Sequence, residues 1–127
     1  MAKYIGLMSG TSMDGVDAVL CDISQTSCTT LAAHSIPYSA ELLTALNALC
    51  SEGPDELNSL AIADRLVAET FAKVTLALLE KSNLHPSDIT AIGSHGQTIR
   101  HHPNSDVLSA HFSESSIRGF TCQIGDP

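Results

Sequence analysis

Ile5-Gly6-Leu7-Met8-Ser9-Gly10-Thr11-Ser12-Met13-Asp14-Gly15-Val16-Asp17-Ala18-Val19-Leu20-Cys21-Asp22-Ile23 is the stretch that decides the fold of this chain. It starts as an apolar strand, gives way to glycine and hydroxyl residues, and resumes as a second strand, so it reads as a β-hairpin. Asp14-Gly15 is the dipeptide best suited to a tight turn between strands. The turn also carries Ser9, Thr11 and Ser12, more hydroxyl than turning requires. Its glycines leave backbone N–H groups uncovered and able to meet an anion. No lysine of the P-loop kind is present, so a nucleotide held here would rest on amides, hydroxyls and a metal. On these residues alone, an ordinary polar hairpin and a phosphate cradle both stay open.

Working outward, strands are expected at Lys3 to Met8, Val16 to Ser24 and Thr29 to Ile36, the last stopped by Pro37. Short connections make them an antiparallel meander. Ser39 is placed to cap a helix running through Leu49, with Glu41 in its first turn. Asp55 is read as the N-cap of the longest element, Glu56 to Lys81. There Leu60, Ala63, Val67, Phe71, Val74 and Leu78 recur every three or four residues and form one apolar stripe. Ile89 to Ser94 reads as a buried strand that follows a helix, which allows it to lie parallel to an earlier strand. Pro103 to Gly119 reads as a loop with a turn of helix near Ser113 to Ile117, and Phe120 to Ile124 as a last short strand. The class is α/β, a mixed sheet with packed helices. A core strand running straight into Gly125-Asp126-Pro127 suggests a chain that continues, because proline suits a first helical turn.

The 127 residues suffice for about one domain. Fourteen acidic against six basic residues leave a net charge of −8, which argues against a nucleic-acid partner. Neither a signal-peptide pattern nor an apolar run of the roughly 20 residues that span a bilayer is visible, so no membrane partner is expected. Cys21, Cys28, Cys50 and Cys122 lack paired C-x-x-C spacing and read as reduced thiols, in keeping with the cytoplasm.

A second polar cluster is Gly93-Ser94-His95-Gly96-Gln97-Thr98-Ile99-Arg100-His101-His102-Pro103. The carboxyl ends of strands in open α/β sheets are where ligands collect. Ser94, His95, Gln97 and Thr98 offer neutral donors and acceptors suited to sugar hydroxyls or an amide. Arg100 has the fork that pairs with carboxylate or phosphate. A metal on His95, His101 and His102 is the weaker reading, since adjacent histidines point apart and no carboxylate accompanies them. His34, His85 and His111 are read as structural.

Together these stretches resemble the anhydro-N-acetylmuramic acid kinase family. Met8 to Asp17 is similar to its N-terminal signature, and Ser94-His95-Gly96-Gln97-Thr98 and Gln123-Ile124-Gly125-Asp126-Pro127 are similar to its next two landmarks, in order. The resemblance implies a ribonuclease-H-like, actin-like ATPase fold of two domains, of which residues 1–127 would be an incomplete N-terminal one. It implies ATP and Mg²⁺ as cofactors and an amino-sugar substrate. The mechanism it implies has a general base activate water to attack C1 of the 1,6-anhydro-sugar, the anhydro bond break and O6 take the γ-phosphoryl group of ATP. It assigns Gly10, Thr11, Ser12, Met13, Asp14, Gly15, Val16 and Asp17 to ATP, with Asp14 near Mg²⁺ through water, and Ser94, His95, Gly96, Gln97 and Thr98 to the sugar. The aspartate base of the family falls beyond Pro127, so no catalytic residue is expected within the chain. A homodimer of the intact protein and a non-catalytic amino-sugar or nucleotide-binding module complete the expectations.

Overall fold

The computed structural model describes residues 2–10, 12–104 and 119–127. β1 (Ala2–Ser9), β2 (Gly15–Ile23) and β3 (Cys28–Pro37) form the expected antiparallel meander. Two helices follow, α1 (Ala40–Leu49) and α2 (Glu56–Lys81), then a short 3₁₀ turn at Pro86–Asp88. β4 (Ile89–His102) and β5 (Phe120–Ile124) complete a five-stranded sheet in the order β3-β2-β1-β4-β5. β4 runs parallel to β1 and β5 antiparallel to β4. A parallel neighbour requires a long crossover, and α1 with α2 supplies it.

The core follows from two periodicities. Alternate residues Ile5 and Leu7 of β1 and Val16, Ala18 and Leu20 of β2 point to one face of the sheet and are buried. Val67, Phe71, Val74 and Leu78 of α2, spaced by three and four, cover that face together with Leu42 and Leu46 of α1. Each such side chain contributes about 1.5–3 kcal/mol on leaving water, so this seam is what holds helices to sheet. Among the described residues no helix is long and apolar enough to cross a membrane.

Helix capping divides the expectations. Ser39 caps α1, its hydroxyl accepting the Leu42 N–H at 3.1 Å. Asp55 does not cap α2 through its side chain. It sits at φ 52°, a left-handed conformation, whereas a side-chain cap needs extended φ and ψ to reach back over the first turn. Its carboxylate accepts from the Asn58 side-chain amide at 2.9 Å instead.

β4 is the main departure. Its expected end was Ser94, yet pairing with β1 and β5 carries it to His102. The register shows how: Leu7 faces Ser94 and Ser9 faces Gln97, so β4 holds one residue more than β1 across this interval. That is a β-bulge, eased by Gly96 at φ 72°. The second polar cluster is therefore part of a strand and not the loop after one. The helical turn expected at Ser113 to Ile117 lies outside the described residues.

Candidate active site

Ser9 closes β1 and is 1% exposed. Its hydroxyl reaches the Gly15 carbonyl at 3.0 Å, across the base of the loop, and also meets the Gln97 side-chain carbonyl. Inside the loop, Met13 N–H donates to the Gly10 carbonyl at 3.1 Å and closes a turn. Met13 adopts φ 56°, which drops its side chain into the core (6% exposed) and leaves Ser12 and Asp14 outside. Among the described residues, no chain group accepts the Ser12 or Asp14 N–H. Thr11 lies outside the described residues.

The glycines of this stretch differ in purpose. A Cβ on Gly15 would stand 2.3 Å from the Ile36 carbonyl oxygen and 2.7 Å from Pro37 Cα, so contact between β2 and β3 already requires glycine there. A Cβ on Gly10 would meet nothing nearer than Ser12 Oγ at 3.8 Å. Val16 is fully buried and offers a ligand only its backbone, and Asp17, on β2, accepts the Ser35 hydroxyl at 2.5 Å. Asp14 has no hydrogen-bond or ion-pair partner among the described residues, and no group of three metal-binding side chains is gathered there. One free carboxylate suits an ion such as Mg²⁺ that keeps its waters and shares phosphate oxygens, rather than one caged by protein.

The bulge in β4 sorts the second cluster. Beyond it, Gln97 turns inward and is fully buried: its amide nitrogen donates to the Thr98 carbonyl at 3.0 Å and to the Gly10 carbonyl at 3.4 Å. Gly96 is buried as well, its Cα packed so that a Cβ would lie 2.6 Å from the Ile124 carbonyl oxygen. Ser94, His95 and Thr98 stay on the open side. A cavity of about 380 Å³ joins Ser9 and Gly10 to His95, Thr98, His101 and Gln123. An adjoining one of about 350 Å³ joins Ser94 and His95 to Asp64, Gln123 and Asp126. His95 and Gln123 line both, so the hairpin loop and β4, about 80 residues apart in sequence, face neighbouring cavities.

Three further placements matter. Asp64 of α2, which no sequence motif singles out, accepts the Gly125 N–H at 2.7 Å and fixes the Gly125-Asp126-Pro127 segment at the cavity wall. Its helical setting gave no signal of this. Arg65 pairs with Asp126 at 2.8 Å, both well exposed, a contact worth little by itself. Arg100 takes a carboxylate from within the chain: it pairs with Glu56 and donates to the Leu49 and Ser51 carbonyls at 2.8 and 2.7 Å, pinning β4 to the C-terminal end of α1. His102 packs edge-on against Phe120, centroids 5.4 Å apart, away from His95. The Tyr38 hydroxyl is buried beside Ser9 without a well-formed hydrogen bond. Burial pushes its pKa up, and the Ser9 hydroxyl offsets part of that rise.

The fold and site define a mixed-sheet α/β domain whose neighbouring cavities lie beside the carboxyl end of β1 and the bulged middle of β4, and strand ends are where ligands collect in open α/β sheets. Comparison with known proteins specifies it. The profile of the anhydro-N-acetylmuramic acid kinase family matches residues 2–127, and the chain belongs to that family. It is 50% identical to the anhydro-N-acetylmuramic acid kinase of Shewanella loihica over 124 residues, covering 98% of this chain and 31% of that protein. The kinase of Shewanella denitrificans is 52% identical over 124 residues, 98% of this chain and 30% of that protein. The chain thus spans about three-tenths of the length of the curated relatives it matches.

Proposed function

We propose that this chain forms the N-terminal portion of an ATP-dependent kinase that converts 1,6-anhydro-N-acetylmuramic acid and water to N-acetylmuramic acid 6-phosphate, in cytoplasmic cell-wall recycling. The fold would be the ribonuclease-H-like half of an actin-like ATPase, and the intact protein a homodimer. The observation that carries the reading is the junction of the Gly10 loop and the Ser94–Thr98 strand around cavities that share His95 and Gln123. When bound, the nucleotide supplies the phosphoryl group and Mg²⁺ neutralises charge on its oxygens. The Ser12 and Asp14 amides and the Ser12 hydroxyl would present donors to phosphate, and Asp14 would hold the ion through its waters. Ser94, His95 and Thr98 meet the amino sugar on the other side, with Asp64 and Gln123 on the cavity wall. Gly15, Val16 and Gln97 support the site from within. None of the chain's acids is assigned as the base that activates water.

The test is ADP release from ATP with the anhydro-sugar, run on residues 1–127 and on the full-length protein that carries them. Turnover by the longer protein and none by residues 1–127 is the expected result. Turnover of an ordinary hexose with the anhydro-sugar ignored overturns the substrate. Binding of either ligand without turnover in the longer protein points to a non-catalytic binding module.

A further inference from the structure

Gln97 is a neutral polar side chain with no exposure, placed under the loop by a bulge that costs the strand its regular pairing. A core position in a sheet ordinarily takes an apolar residue, because a buried amide must have all its partners inside. Here they are specific. The Gln97 carbonyl oxygen takes the Ser9 hydroxyl, and its amide nitrogen donates to the carbonyls of Gly10 and Thr98. Ser9 Oγ also lies 3.0 Å from the carbonyl of Gly15, the other end of the loop, so its single hydrogen is shared between the Gln97 and Gly15 oxygens. Two residues before Gln97 on the same strand, His95 lines both cavities. A displacement of β4 at His95 therefore has a route to the Gly10 end of the loop through Gln97 and to the Gly15 end through Gln97 and Ser9.

From this we infer that Gln97 is a positioning residue that couples the two ligands: occupancy of the His95 side sets the shape of the Gly10–Gly15 loop, and the loop's occupancy sets β4. This rests on the kinase reading above. Coupling of this kind is reciprocal, each ligand changing the other's affinity by the same factor.

The experiment is calorimetric titration of the full-length protein with a non-hydrolysable ATP analogue, with and without saturating anhydro-sugar, alongside thermal melts. Wild type is expected to bind the analogue about tenfold more tightly when the sugar is present, within the range typical of site-to-site coupling. Gln97→Met, near-isosteric but unable to hydrogen bond, is expected to bring that ratio close to one. Ser9→Ala, which deletes a single hydroxyl and spares the fold if Gln97→Met does not, is expected to lower the ratio too. Variants that melt earlier but keep the wild-type ratio overturn the inference, since they reveal a purely structural glutamine. A wild-type protein whose two ligands bind independently also overturns it. Wild type that binds neither ligand removes the kinase reading itself.

Discussion

Alanine at Gly10 and alanine at Gly15 are expected to have opposite effects, although the two glycines lie in one short loop. At Gly15 the new methyl would sit 2.3 Å from the Ile36 carbonyl oxygen and 2.7 Å from Pro37 Cα. Both are backbone atoms, held by the pairing of Gly15 with Pro37 and of Val16 with Ile36, so neither can swing aside as a side chain would. The clash is more than 1 Å inside ordinary contact, and overpacking of that kind costs about 1–3 kcal/mol. At Gly10 the methyl makes only ordinary contact, with Ser12 Oγ at 3.8 Å, and the backbone there is not in the left-handed region that favours glycine. Gly10→Ala should therefore gain about 0.4–1 kcal/mol by restricting the unfolded chain. The two variants should differ by about 1.5–4 kcal/mol, a separation of roughly 5–15 °C in Tm for a chain of this size. The effect on nucleotide affinity should be reversed in kind. A methyl on Gly10 stands at the cavity mouth beside the loop amides, and a loss of about tenfold, or 1.4 kcal/mol, is expected for Gly10→Ala despite its higher melting point. Circular-dichroism melts and titration with an ATP analogue read the two effects separately. Equal destabilisation by both substitutions would refute the packing argument. Undiminished nucleotide binding by Gly10→Ala, in a protein whose wild type binds, would refute the placement of phosphate over Gly10.

Tyr38 has its pKa raised by burial, so the folded state keeps a proton that the unfolded chain gives up above about pH 10. Its contribution is full below pH 10 and is lost as pH rises from there through the folded value, and Tyr38→Phe should flatten that loss in urea melts taken from pH 8 to 11, whereas an unchanged slope would count against the burial argument. Arg100→Met removes the donors that hold two carbonyls near the end of α1 and the partner of Glu56, and should lower stability by about 2 kcal/mol while leaving phosphate-ligand affinity as it was. Weakened ligand binding with an unchanged urea midpoint would assign Arg100 to the phosphate ligand instead.

The meander and α2 were legible because each buries one face, and burial writes its period into the residues: two along β1 and β2, three and four along α2. Ser39 was legible for a related reason, since a cap acts within three residues of itself. What escaped was set by contacts far along the chain. Arg100 meets groups about fifty residues earlier, and Asp64 meets Gly125 sixty-one residues later. No local pattern records such meetings. Of the landmarks that carried the family resemblance, the first two are brought together, since Ser9, Gly10 and His95 line one cavity.

Those landmarks could not say which way each side chain faces, and the reason lies in the geometry of a strand. Facing alternates with a period of two, so a single added residue inverts everything beyond it. The extra residue in β4 falls between Ser94 and Gln97, inside the Ser94-His95-Gly96-Gln97-Thr98 landmark itself. Without it, Gln97 would point to the face opposite Ser9, and His95 and Gln97 would stand together toward a ligand as a plain strand reading expects. With it, His95 stays at the cavities while Gln97 passes beneath the loop. The bulge is supported by the positive φ of Gly96 and by its approach to the Ile124 carbonyl, a residue of β5. The orientation of the most polar stretch in the chain is thus decided by a strand that follows it by more than twenty residues. A motif can mark where a site lies, while tertiary pairing decides which of its residues face the ligand and which brace the site from within.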